Sequence, residues 1–367
     1  MSTVFVCTRK GLFVFEQLEH GLKSHSQHFL GDPVTSACVD ASGCWYVALN
    51  LGHFGPKMHK SEDQGKSWRE IGCPALPKKP ADSSDTSEWQ IKQVWILEPV
   101  PESPGYLLAG TNPGALFVSR DGAQSWQLSE SLWYSPQREK WFGGGFDDSG
   151  LHSIAINPDD HQHWTIAVSV GGVWHTYDAG DTWILKCSGM NAAYMPDDMA
   201  DSEELQDPHR LIAAPSDFKR MWVQHHCGIF VSDDAGKHWR ECLHEQKSSF
   251  GFAVAVHPTQ MDTAWFIPAI KDESRYPENG QLKVLKTTDG GQSFQVLTQG
   301  LPQEACYDLV YRHALTVDNQ GHSLTFGSTT GNLWHSMDCG AQWQTVSNHL
   351  PPIYAVRWFA QDLNWRI

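Results

Sequence analysis

Six short segments at nearly regular intervals constrain this chain more than any other feature. They read SEDQGKSW (61–68), SRDGAQSW (119–126), TYDAGDTW (176–183), SDDAGKHW (232–239), TTDGGQSF (287–294) and SMDCGAQW (336–343). Their central aspartates, Asp63, Asp121, Asp178, Asp234, Asp289 and Asp338, are spaced by 58, 57, 56, 55 and 49 residues. Self-similarity at such a period marks an array of equivalent supersecondary units. The motif has the chemistry of a tight turn. The aspartate accepts from nearby backbone N–H groups, the glycine supplies a positive φ, and the closing aromatic packs beneath.

Between these segments the chain is strand-like. One unit runs LHSIAINP, HWTIAVSVG, GVWHTYD and, past the turn, TWILKC. Such β-rich runs punctuated by Gly, Pro, Asn and Asp predict four strands per repeat, which is one blade of a β-propeller. The pattern S/T-x-D-x-G-x-x-W resembles the Asp-box (BNR) repeat of the sialidase-like superfamily. The second copy departs from it, with Gly122 one place early and Ala123 at the glycine position. The resemblance spans nearly the whole chain and implies a propeller whose boxes stabilise rim turns and carry no catalysis. Function has to be argued from a site instead.

Six boxes are compatible with a seventh blade. VFVCTRKGLFVFE near the start matches second and third strands, KSHSQHF a fourth, and IYAVRWF (353–359) an innermost strand. The expected fold is therefore all-β: a seven-bladed propeller spanning residues 1–367 as one domain, with a composite blade joining both ends. Such closure removes exposed sheet edges.

Composition narrows the partners. With 27 Lys plus Arg against 42 Asp plus Glu, the net charge of −15 argues against nucleic acid. No apolar run approaches the roughly 20 residues needed to span a bilayer. The opening MSTVFVCTRKGLFVFE lacks a secretory pattern, and nine cysteines without a CxxC pair suit reduced thiols. A cytoplasmic location is the expectation.

Propellers bind ligands where the central channel opens. Loops entering the innermost strands and connections between second and third strands share one face. The entering loops are long at roughly 70–92, 127–150 and 184–208, and long loops are often functional. They carry Trp89, Trp133, Tyr134, Trp141, Phe142, Tyr194 and Met195, suited to sugar stacking, to a partner, or to packing the loops down. WFGGGFDDSG (141–150) has no helix after it to cradle phosphate, and reads as a lid or free loop delivering Asp147, Asp148 and His152.

Histidine is the second signal on that face: His53, His152, His209, His225 and His226. Imidazoles from different blades with Gln224 or Asp207 would hold one divalent metal ion. The metal candidates are His152, His209, His225 and His226, with only one of the last two facing the pocket because neighbours in a strand alternate. The catalytic candidates are His152, His209, Asp207 and Tyr307. The candidate ligand-binding residues are Arg275, Gln224, Arg9 and Asn112, with Arg312 a further anion grip. His161, His163 and His257 are read as turn residues.

Three functions follow. The superfamily resemblance implies a glycosidase, but the Arg-Ile-Pro segment of sialidases is absent at CTRKGLF, and a two-carboxylate hydrolase would need Asp147 or Asp148 to meet Asp207. The histidines favour a carbohydrate-active hydrolase or lyase with a His-rich, metal-binding pocket at the channel mouth and a small-molecule or saccharide ligand. The alternative is a non-catalytic propeller acting as a binding or assembly platform for a protein partner.

Overall fold

The computed structural model describes residues 2–83, 85, 88–143, 147–242 and 249–360. Its strands form seven four-stranded antiparallel sheets, each built almost entirely from strands consecutive in sequence. Blades one to six begin with innermost strands Val34–Val39, Gln93–Pro99, Leu151–Asn157, Pro208–Ala214, Gly251–Val256 and Leu315–Val317. Blade seven has Ile353–Ala360 innermost, followed outward by Ser2–Thr8, Gly11–Leu18 and Gly21–His28. Val4 pairs with Trp358 and Val6 with Val356, so the composite blade closes the ring as the sequence predicts. Helix is confined to a few short turns such as Glu130–Trp133, and no described helix is long and apolar enough to cross a membrane.

The apolar cores lie between blades. Tyr46, Ala48 and Met58 of blade one pack with Val94, Leu107 and Phe117 of blade two. Phe5 and Val14 of blade seven pack with Val34 and Val47 of blade one. Trp164, Trp222 and Trp265, each on the second strand of its blade, are fully buried. Because every blade buries both faces against neighbours, no single blade has a core of its own.

The repeated turns obey one hydrogen-bond scheme at the third-to-fourth strand connection. Asp63 accepts the Ser67 amide at 2.8 Å, the Ser67 hydroxyl at 2.6 Å and the Ser61 hydroxyl at 2.8 Å. Asp121, Asp178 and Asp289 repeat all three contacts. Two successive residues have positive φ, as at Gln64 (59°) and Gly65 (86°). This explains the shifted second copy: Gly122 (73°) and Ala123 (62°) keep the same backbone. The closing tryptophan reaches the preceding blade. Trp126 donates to the Gly72 carbonyl and Trp239 to that of Lys186.

Candidate functional site

A cavity of about 940 Å³ opens at the upper end of the channel, where the innermost strands begin. Strand register explains what lines it. In six blades one residue near the start of the innermost strand is skipped in the pairing, the third in blade two and the second in the others: Thr35, Trp95, His152, His209, Phe252 and Tyr354. A bulge re-aims its side chain. Thr35, Trp95, Phe252 and Tyr354 line the cavity, and blade six adds Tyr311, Arg312 and His313 from the segment before its innermost strand.

Arg312 dominates the electrostatics. It is 9% exposed, and its guanidinium lies over Trp95 at 5.0 Å and Phe252 at 5.1 Å. Its Nε has no hydrogen-bond partner, and the group forms no ion pair among the described residues. Burial brings its pKa down to about 10, which leaves it cationic at neutral pH. Asp207 supports this charge only from beyond ion-pair distance, and the fork of donors suits a carboxylate ligand. Arg275 also lines the cavity, above Phe252 at 5.5 Å, but the Asp272 carboxylate accepts from it and compensates its charge.

His313 lies beneath. Its Nε2 is 2.7 Å from the His152 carbonyl oxygen, which only accepts, so the proton sits on Nε2 and the lone pair on Nδ1. Burial, then Arg210, holds its pKa well below the usual histidine value, leaving a neutral ring. His313 also lines a second cavity of about 490 Å³ at the lower end, beside Arg210, Arg357 and Glu98.

A separate polar cluster sits under the wall of blade four. Asp207 is 2% exposed, and its Oδ2 lies 3.3 Å from His209 Nε2 and 3.3 Å from His226 Nδ1. The Val170 amide donates to Oδ1. Burial works to raise the pKa of Asp207, but His209, His226 and Arg312 outweigh it and hold the carboxyl well below its ordinary value. Burial lowers that of His209 against the pull of Asp207. These three side chains bring ligand atoms within 4.8 Å of one another, the arrangement among the described residues that could hold a metal.

The remaining candidates are distributed around this frame. His225 is fully buried, the Asp207 and Cys227 amides point at its two ring nitrogens, and burial holds its pKa at about 3. It is turned away from the cluster, so of the adjacent pair it is His226 that faces Asp207. His152 is fully buried, edge-on to Trp95, with Nδ1 at 2.9 Å from the Ser153 hydroxyl; it stands outside the three-residue cluster. Gln224 spends its amide on the carbonyls of His225, Gly228 and Ser249, and Asn112 donates to those of Asp148 and Ser149. Both brace loops. Tyr307 is 65% exposed beside Tyr276, Arg9 is exposed, and neither lines the cavity. His53 is exposed against Phe54.

The long loops largely pack on the protein. Trp133 is buried, with Trp89 at 5.3 Å and the Arg138 guanidinium over its ring at 3.9 Å; Arg138 pairs with Asp85. The lid reading of 141–150 falls partly on residues 144–146, which lie outside the described residues; Asp148 pairs with Lys92 at 2.6 Å. Trp95, Phe252, Tyr311 and His313 were not among the sequence candidates. Aligning the innermost strands on the residue skipped near their start would have exposed Trp95 and Phe252.

No family model matches the chain, and no curated protein matches it. Solved structures do. An ancestral GH74 enzyme superposes with a TM-score of 0.58 at 16% identity, over 89% of this chain and 38% of that one. This chain thus spans well under half of that enzyme's length. YCF48 bound to D1 peptide matches with a TM-score of 0.54 at 14% identity, covering 86% and 83% of the two chains. YCF48 from Cyanidioschyzon merolae matches at 0.55 and 9% identity, covering 87% of each. At these identities the likeness establishes the seven-bladed propeller alone.

Proposed function

We propose that this propeller is a carbohydrate-active protein that takes the carboxylate of an acidic saccharide into the upper cavity. The observation that carries the reading is Arg312, buried and cationic, held between Trp95 and Phe252 and without a carboxylate partner among the described residues. A uronate would supply that partner, and its ring would meet the aromatic wall of Trp95, Tyr311 and Tyr354. The same arrangement suits elimination better than two-carboxylate hydrolysis, because Asp32 is the one carboxylate lining the cavity among the described residues. Neutralising the substrate carboxylate on Arg312 acidifies the adjacent C–H; the His313 Nδ1 lone pair takes that proton, the C4–C5 double bond forms as the C4–O glycosidic bond breaks, and the departing sugar oxygen takes a proton from water. Membership of the Asp-box superfamily is part of the same proposal, supported by the six turns and the GH74 likeness in fold. A protein-binding platform is the second reading, favoured by exposed Tyr134, Phe142 and Tyr194 on the long loops.

The test is calorimetric titration with oligouronates and with the matched neutral oligosaccharides, followed by assay for unsaturated products. Uronate-selective binding that Arg312→Gln weakens by about tenfold or more, the loss of a charge-assisted contact, supports the reading. Equal binding of acidic and neutral sugars, or no binding, overturns it.

A further inference from the structure

Asp207, His209 and His226 each bring one ligand atom to a common place, all within 4.8 Å of one another. His209 Nδ1 lies 2.6 Å from the Gly251 carbonyl oxygen, which has no proton to give, so Nδ1 carries the hydrogen. Nε2 is thus the ring atom turned to Asp207 Oδ2, 3.3 Å away, the atom from which this imidazole would ligate. Histidine ligands usually donate their second ring nitrogen to a carbonyl in this way, which fixes the tautomer and aims the free nitrogen.

The spacing points the same way. Ligand atoms bonded at about 2.0 Å in a tetrahedron stand about 3.3 Å apart along each edge. Asp207 Oδ2 is 3.3 Å from both His209 Nε2 and His226 Nδ1. The rings are fixed from outside: Phe252 stacks on His209 at 4.5 Å, and Phe250 meets His226 at 5.3 Å. The His226 side chain is 22% exposed, so the cluster opens to solvent on one side.

We propose that Asp207, His209 and His226 form a binding site for a divalent zinc-class ion, with a fourth position open to water. Two imidazoles and one carboxylate match the ligands that zinc prefers, and three protein ligands with an open place are the pattern of a reactive rather than a closed site. The inference stands apart from the saccharide reading, since metal binding is measured without sugar.

The experiment uses the full chain, stripped with chelator, and titrates zinc(II) alone and then cobalt(II) as spectroscopic probe. The expected result is one equivalent of metal and an intense four-coordinate cobalt spectrum. His226→Ala, at a partly exposed position, is expected to keep the melting temperature and lose at least about tenfold in affinity, whereas His53→Ala keeps full binding. Asp207→Asn and His209→Gln test the buried ligands where they fold. Failure of the wild-type chain to retain zinc at micromolar free metal would overturn the site. Unchanged stoichiometry and spectrum in His226→Ala would overturn it equally.

Discussion

His313 Nε2 donates to the carbonyl oxygen of His152 across 2.7 Å, a bond that joins blade six to blade three through the channel. His313 lines both the upper and the lower cavity, so the bond sits at the waist between them. His313→Ala removes one donor to a carbonyl that Arg210 also contacts at 3.2 Å. The expected loss is about 1–2 kcal/mol in urea unfolding. Unsaturated product is expected to vanish while uronate binding persists; product formation at the wild-type rate would remove His313 as base.

Gly150 backs the Trp95 ring and leaves no room for a methyl group. A Cβ there would stand 2.2 Å from the Trp95 ring. Gly150→Ala is expected to push Trp95 off its place beneath Arg312, lowering uronate affinity and shifting tryptophan fluorescence. Unchanged affinity and spectrum would show that Trp95 does not define the wall.

The repeated turns should govern stability and leave the site alone. Trp239 is buried and donates to the Lys186 carbonyl of the preceding blade. Trp239→Ala is expected to cost about 3–5 kcal/mol in chemical denaturation, with ligand and metal binding unchanged below the transition.

Acid should reveal the turn aspartates. Hydroxyl and amide donors from Ser125, outweighing the opposing effect of burial, lower Asp121 from 3.8 to about 2; Ser293 is the first cause of the same shift at Asp289. A carboxyl whose folded pKa is depressed stabilises the fold fully above its unfolded value, and loses that contribution as pH falls from about 4 toward 2. The double variant Asp121→Asn, Asp289→Asn is therefore expected to be less stable than wild type at pH 6 and closer to it near pH 2. Parallel stability curves across that range would contradict this.

How much the sequence revealed follows from how local each signal is. The turns were legible because every group that makes them, from Ser61 to Trp68 for example, lies within eight residues. The composite blade was legible because its two ends complement each other as strands. The cavity was less so, because it depends on a bulge that period-two reading does not place. His152 and His209 fall on the bulge ring and were singled out from the sequence. Trp89 and Tyr307 were singled out and do not line the cavity; Arg275 and Arg312 were singled out and do, beside Trp95, Phe252, Tyr311 and His313, which no local pattern marks. The tautomers of His209 and His313 depend on carbonyls 42 and 161 residues away, beyond any local pattern.

The central claim is that Arg312 receives the carboxylate of an acidic sugar, and a crystal structure with a bound oligouronate tests it most directly. The account predicts a sugar carboxylate within hydrogen-bond distance of the Arg312 guanidinium, with the saccharide ring against the aromatic wall formed by Trp95, Tyr311 and Tyr354. A saccharide bound on the outer rim or in the lower cavity, with Arg312 still unpaired, would contradict it.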